Sequence, residues 1–174
     1  MSNEIKVNFK NLTEEERKIL MRLVEKSNEP KSKVWKLKRG EEYYYLESTN
    51  DVNYDLWTNN TSNNLRLNMG NIFKTKKEAV FAAEKQKVFV ELQRYAAEHN
   101  VEDIDWNDGN EHKYNIIYEH NFNRLRIFST FNRQYIGQIY FTSVEIAKNA
   151  IREIGEDKIK KYLFGVEVEE SEKY

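Results

Sequence analysis

Apolar positions in this chain recur at helical spacing in some stretches and at alternate positions in others, and caps or turn residues bound most of them. Ile19, Leu20, Leu23 and Val24 form a narrow stripe at helical spacing behind Thr13-Glu14-Glu15-Glu16. There the Thr hydroxyl caps the first turn, Glu16 reaches back to it, and the acidic residues complement the helix dipole. This helix should end near Ser27 and Asn28, ahead of Pro30, and pack its stripe on the domain, or else on a partner. The longest periodic stretch runs from Lys76 to His99, with Val80, Phe81, Val88, Phe89, Leu92, Tyr95 and Ala96 on one side. Another helix is predicted from Ser143 to Ile154, stopped by Gly155, and a short one from Lys158 to Phe164.

Alternation predicts the strands. Val34, Trp35 and Leu37 read as an extended segment laid on the body, and Tyr43 to Leu46 as a strand rich in aromatic residues. The polar, Asn-rich stretch from Ser48 to Asn64, with Trp57 at its centre, reads as a hairpin whose turns exploit the tolerance of Asn and Asp for left-handed backbone. Leu65–Leu67, Ile72–Phe73, Tyr114–Tyr118, Leu125–Phe128 and Gly137–Phe141 read as further strands. Residues 98–111 carry Glu98, Glu102, Asp103, Asp105, Asp108 and Glu111 with no Lys or Arg, which predicts a solvated acidic loop.

The chain also resembles itself. Gly70-Asn-Ile-Phe-Lys-Thr75-x-x-Glu78 aligns with Gly137-Gln-Ile-Tyr-Phe-Thr142-x-x-Glu145 at an offset of 67, and Ala83 and Ala150 keep the register. Each copy is a strand running into a Thr-x-x-Glu box and an amphipathic helix. Tyr43-x-Tyr45 and Tyr114-x-Ile116 occupy comparable places upstream, as do Leu65-Arg-Leu and Leu125-Arg-Ile. The expected class is therefore α+β: an N-terminal capped helix (1–30), two β-hairpin-plus-helix units (31–100 and 112–165), an acidic loop between them (101–111) and an acidic tail (166–174). One compact body is favoured over two lobes.

Composition narrows the function. The 174 residues suit a single domain, and 28 Lys+Arg against 29 Asp+Glu leave a net charge of −1, so no global field attracts nucleic acid or membrane. The absence of Cys excludes disulfides, thiolate metal sites and Cys nucleophiles. No apolar run reaches membrane-span length, and a soluble, cytoplasmic protein is expected. The 20 Asn, beside many Lys, Ile and Tyr, fit an A/T-rich genome first, with selection for an adaptable polar surface as the alternative.

No phosphate-cradling Gly loop, nucleophile elbow or zinc-protease motif is present in the sequence. Asp103-x-Asp105-x-Asn107 imitates the start of a calcium loop, but Asp108 stands where Gly is needed and Tyr114 where Glu is needed. His112 and His120 fall on one side of a strand if alternation holds, and read better as surface residues than as metal ligands. The expectation is a protein without catalytic residues, metal or cofactor. Its candidate binding residues are basic. Lys31, Lys33, Lys36, Lys38 and Arg39 crowd one segment, while Arg66, Arg124 and Arg126 should project from the solvent side of strands. Arg and aromatic residues on a sheet can also stack bases and track phosphates.

Trp35-Lys-Leu-Lys-Arg-Gly40-Glu-Glu-Tyr-Tyr-Tyr45, Gly70-Asn-Ile-Phe-Lys-Thr-Lys-Lys-Glu-Ala79, Ile139-Tyr-Phe-Thr-Ser143, Gly155-Glu-Asp157 and Lys161-Tyr-Leu-Phe-Gly165 together resemble a family of small proteins from phages, prophages and mobile elements of low-GC Gram-positive bacteria. The resemblance spans about residues 12 to 168. It carries no catalytic residues with it and implies context only: such accessory genes often encode inhibitors of host defences, including anti-CRISPR proteins. The expected function is a phage-borne inhibitor binding a host defence protein, most plausibly a CRISPR effector nuclease or its ribonucleoprotein. The alternative is a single-stranded nucleic-acid-binding accessory of phage replication or regulation.

Overall fold

The computed structural model describes residues 9–28 and 35–167. The chain divides into two compact units, residues 1–37 and 38–174. In the first, a short 3₁₀ turn (Phe9–Asn11) precedes helix α1 (Glu14–Asn28). The capping box is formed: the Glu16 amide donates to Thr13 Oγ1 at 3.3 Å, and the Thr13 amide donates to the Glu16 carboxylate at 2.8 Å. These backbone and hydroxyl bonds hold the Glu16 carboxyl below its ordinary pKa. Within its unit the α1 stripe is largely open: Ile19 and Leu23 are more than half exposed, and Leu20 is only partly covered.

The second unit is α+β. It contains a hairpin of β1 (Glu42–Leu46) and β2 (Val52–Leu56), helix α2 (Thr61–Asn68) and the long helix α3 (Lys76–His99). There follow β3 (Lys113–Glu119), β4 (Arg124–Thr130), the two-residue β5 (Tyr140–Phe141), helix α4 (Val144–Ile154), and one helical turn (Glu156–Lys158) that runs into a π-helical turn (Ile159–Leu163). Both sheets are antiparallel, one in the order β1-β2 and the other β4-β3-β5.

The duplication is visible in the backbone. Phe73 bridges to Tyr44 on β1, just as Tyr140, 67 residues later, pairs with Asn115 on β3. In each copy the strand leading into the helix therefore lies beside the first strand of the hairpin. Gly70 and Gly137 both adopt left-handed φ (+70° and +75°), a region that a Cβ disfavours, at equivalent places before that strand. Both copies belong to the same compact unit, because α3 packs against β1 and β2 as well as against α4 and the π-helical turn.

The copies differ at their caps. Thr75 and Glu78 form the reciprocal box that starts α3. At α4 the expected Thr142 box is replaced by Ser143, whose hydroxyl accepts from the Ile146 amide at 3.2 Å. Thr142 is engaged elsewhere: its amide donates to Asn100 Oδ1 at 3.0 Å and its hydroxyl accepts from the Val101 amide at 3.3 Å, tying β5 to the end of α3.

Other strands predicted from alternation are lost or shortened. Leu65–Leu67 lies in α2, which Asn60 caps by accepting from the Asn63 amide at 2.8 Å. Ile72–Phe73 makes a single bridge, and of Gly137–Phe141 only the last two residues pair. The hairpin turn is confined to the residues around Asn50, and Trp57 is buried edge-on to Tyr43 with ring centroids 6.3 Å apart. The main apolar core joins Val88, Leu92, Tyr95 and Ala96 of α3 to Ile116, Phe141, Ala147, Ala150 and Ile159. No helix among the described residues is long and apolar enough to cross a membrane.

Candidate functional site

The β3–β4 register builds the most organised charged surface. Glu119 is paired with Arg124, Ile117 with Arg126, and Asn115 with Phe128. Alternation then sends Leu125 and Ile127 to the core and Arg124, Arg126 and Phe128 outward, as the sequence predicted. The structure adds Glu119. One of its carboxylate oxygens accepts from Arg124 Nε at 2.9 Å and the other from Arg126 Nη1 at 2.7 Å. The two guanidinium bonds, Arg126 first, hold the Glu119 carboxyl below its ordinary pKa. The Arg side chains remain more than half exposed, so a single carboxylate fixes two guanidiniums and leaves other N–H donors facing water. Arg124 also lies over the exposed Phe122 ring, 4.9 Å from its centroid. The intervening turn is a 3₁₀ segment closed by Asn123 in left-handed conformation, with the Tyr118 phenol donating to the Asn123 side chain.

Arg66 plays the opposite part. It projects from α2, not from a strand. Its Nη1 donates to Asp55 Oδ2 at 2.7 Å and to the Tyr43 hydroxyl at 2.8 Å, while its guanidinium stacks 3.5 Å from the centroid of the Tyr45 ring. Asn63, which is fully buried, donates to the same Tyr43 oxygen at 2.8 Å. Partial burial pushes the Asp55 carboxyl up, but the Leu56 amide and the Arg66 guanidinium together outweigh it and hold it below its ordinary pKa. Arg66 thus locks α2 to the first hairpin, with its guanidinium only partly exposed.

In the basic segment, Lys31 and Lys33 lie outside the described residues. Lys36, Lys38 and Arg39 are exposed, and Trp35 and Leu37 are half-buried, consistent with the expected alternation. The Lys38 amide donates to the Glu41 carboxylate at 2.8 Å, and the Gly40 amide donates to the Trp57 carbonyl at 2.8 Å, fixing the turn that enters β1. Lys38 and Arg39 stand beside the two-stranded sheet and the Arg124–Arg126 pair stands on the three-stranded one; among the described residues no hydrogen bond or ion pair joins them.

The acidic loop is more than a solvated one. It closes on Lys113, which is 1% exposed. The Lys113 ammonium donates to the carbonyls of Asp108 (2.6 Å) and Glu111 (3.1 Å) and lies 3.6 Å from the Glu111 carboxylate. Trp106 packs edge-on against Tyr140, with centroids 4.8 Å apart. A buried ammonium is costly unless surrounded by acceptors, and this loop supplies them. The carboxylates of Asp105 and Asp108 accept from backbone amides two residues on, closing turns. Sequence reasoning missed Lys113 because nothing in a strand beginning Lys-Tyr-Asn marks its first residue as internal. His112 stacks on Tyr114 and meets the Phe131 ring at a tilt, and His120 lies edge-on to Tyr118. Among the described residues no group of three or more His, Asp or Glu is arranged to hold a metal ion.

No family model matches this chain, and neither a curated protein nor a solved structure is significantly similar to it.

Proposed function

We propose that the chain is a binding protein rather than an enzyme, and that it acts as a phage-borne inhibitor of a host defence protein, most plausibly a CRISPR effector nuclease. The observation supporting this reading is the Glu119 clamp: Arg124 and Arg126 are exposed yet held in place, which lowers the ordering cost of engaging a carboxylate or phosphate. An effector carrying guide RNA offers both kinds of acceptor. Lys36, Lys38 and Arg39 offer a second exposed basic surface. The alternative, binding to single-stranded nucleic acid, is favoured by one feature: Phe122 beneath Arg124 is an exposed ring of the kind on which bases stack.

Affinity capture from a host lysate, with and without nuclease digestion, separates the readings. The inhibitor retains a nuclease after digestion. The nucleic-acid binder instead shifts bare single strands in a salt-sensitive manner. Reversing Arg124 and Arg126 together to Glu should reduce capture by at least tenfold while leaving the chain folded; full retention by that variant and by a Lys36, Lys38 and Arg39 reversal would refute both surfaces.

A further inference from the structure

Beneath the second repeat lies a cavity of about 210 Å³, walled by Phe89 and Leu92 of α3, Ile139 and Phe141, and Ile159 and Leu163 of the π-helical turn. Two polar side chains border it, Lys85 and Gln138. Gln138 accepts from the Asn115 side-chain amide at 3.2 Å through Oε1, which leaves its own Nε2 without a partner among the described residues. Lys85 is exposed, and no ion pair engages it among the described residues. On α3, Lys77, Phe81, Lys85 and Phe89 follow one another at four-residue intervals and so share one helix face. Phe81 extends this face to Tyr162, with ring centroids 5.4 Å apart. The result is an apolar hole reached past a Lys, on a ridge of alternating Lys and aromatic side chains.

We propose that this cavity seats one large apolar side chain from an acidic segment of a protein partner. The volume lies below the ~300 Å³ at which pockets for drug-sized molecules begin, and suits a single Phe or Leu side chain. The free Gln138 amide matches a peptide carbonyl, a group a hydrocarbon ligand lacks. The Lys residues on the ridge complement carboxylates flanking the anchor, and an apolar anchor in a desolvated pocket ringed by polar contacts is the usual form of an interface hot spot. π-Helical turns, such as the one forming one wall, concentrate at functional sites. The proposal deepens the reading of the chain as a protein-binding protein, but does not depend on the partner being a nuclease.

The test is an NMR titration of the full chain with the peptide acetyl-Asp-Glu-Phe-Glu-Asp-amide, following the methyl signals of Ile139 and Leu163. Saturable shifts are expected, weakened about tenfold or more when the peptide Phe is replaced by Ala. Lys85→Glu, at an exposed position, should weaken binding several-fold without altering the remaining spectrum. Ile139→Trp should fill the cavity and abolish the shift at Leu163, the methyl reporter that variant retains; if it fails to fold, the Lys85→Glu and Ala-peptide arms still decide. Absence of saturable shifts at millimolar peptide, equal binding of the Ala peptide, or an unaffected Lys85→Glu variant would overturn the proposal. So would binding of 3-phenylpropionate without binding of the peptide, which would make this a small-carboxylate site. Should lysate capture persist in a folded Ile139→Trp variant, the cavity proposal falls while the binding function stands.

Discussion

The two repeats share a backbone plan and hold it together with different contacts. In the first, the hairpin and α2 are held by a polar hub in which the Tyr43 phenol meets Asn63 and Arg66, with Asp55 behind them. In the second, the apolar side chains of Phe141, Ile116, Ala147 and Ile159 close the equivalent junction, with the buried Asn115, bonded to Gln138, beside them. The spaces between each junction and α3 differ likewise. The first repeat leaves a groove of about 700 Å³ bordered by Glu47, Lys87, Glu91 and Arg94, the second the small apolar cavity. What the copies preserve is the left-handed Gly, the bridging strand and the helix start; what lies beneath is free to change. A backbone motif satisfied by local hydrogen bonds constrains its filling only in volume.

This contrast predicts unequal sensitivity. Phe141→Ala opens a cavity at a fully buried position and should cost about 3–5 kcal/mol in urea denaturation. Tyr43→Phe keeps the ring but strips the hub of its hydroxyl, and should cost about 1–3 kcal/mol as Asn63 loses a buried partner. Equal losses would erase the distinction between the polar hub of the first junction and the apolar packing of Phe141 in the second.

The caps sharpen the comparison at a smaller scale. Thr75→Ala and Ser143→Ala should each cost about 1 kcal/mol, since each hydroxyl satisfies an otherwise orphaned amide of the first helical turn. Thr142→Ala should instead loosen the link to Val101, which amide exchange at Val101 would detect while the start of α4 stays protected. Were Thr142→Ala to fray α4, the cap would be in register with the first repeat after all.

The smallest effect concerns the Glu119 clamp. Glu119 is half-buried, with its pKa depressed by Arg126 and Arg124. Its contribution is present above the unfolded carboxylate range, about pH 4.3, and is lost as pH falls through the lower folded value. Carboxyl NMR should show Glu119 titrating below an ordinary Glu, and Arg126→Gln should return it toward the usual range. An unchanged Glu119 titration in that variant would mean that the guanidinium pair is not fixed in solution.

The sequence by itself determined what short-range bonds decide. The bounds of α3, the Thr13 and Thr75 boxes and the stop at Gly155 (φ +101°) follow from residues within a turn of each other. The outward aim of Arg124 and Arg126 followed from alternation alone. Tertiary structure decided the rest. Leu65-Arg66-Leu67 has a strand's alternation over only three residues, too few to choose a period, and its helix is held by bonds to Asp55 and Tyr43, 11 and 23 residues away. Glu119 became a clamp only once the β3–β4 register set it opposite Arg124, with Arg126 two residues along. Lys113 became internal because a loop that reads as solvated folds its carbonyls around an ammonium. Each case turns on a partner that local periodicity does not encode, since pairing across strands and loops is set by the packing of the whole unit.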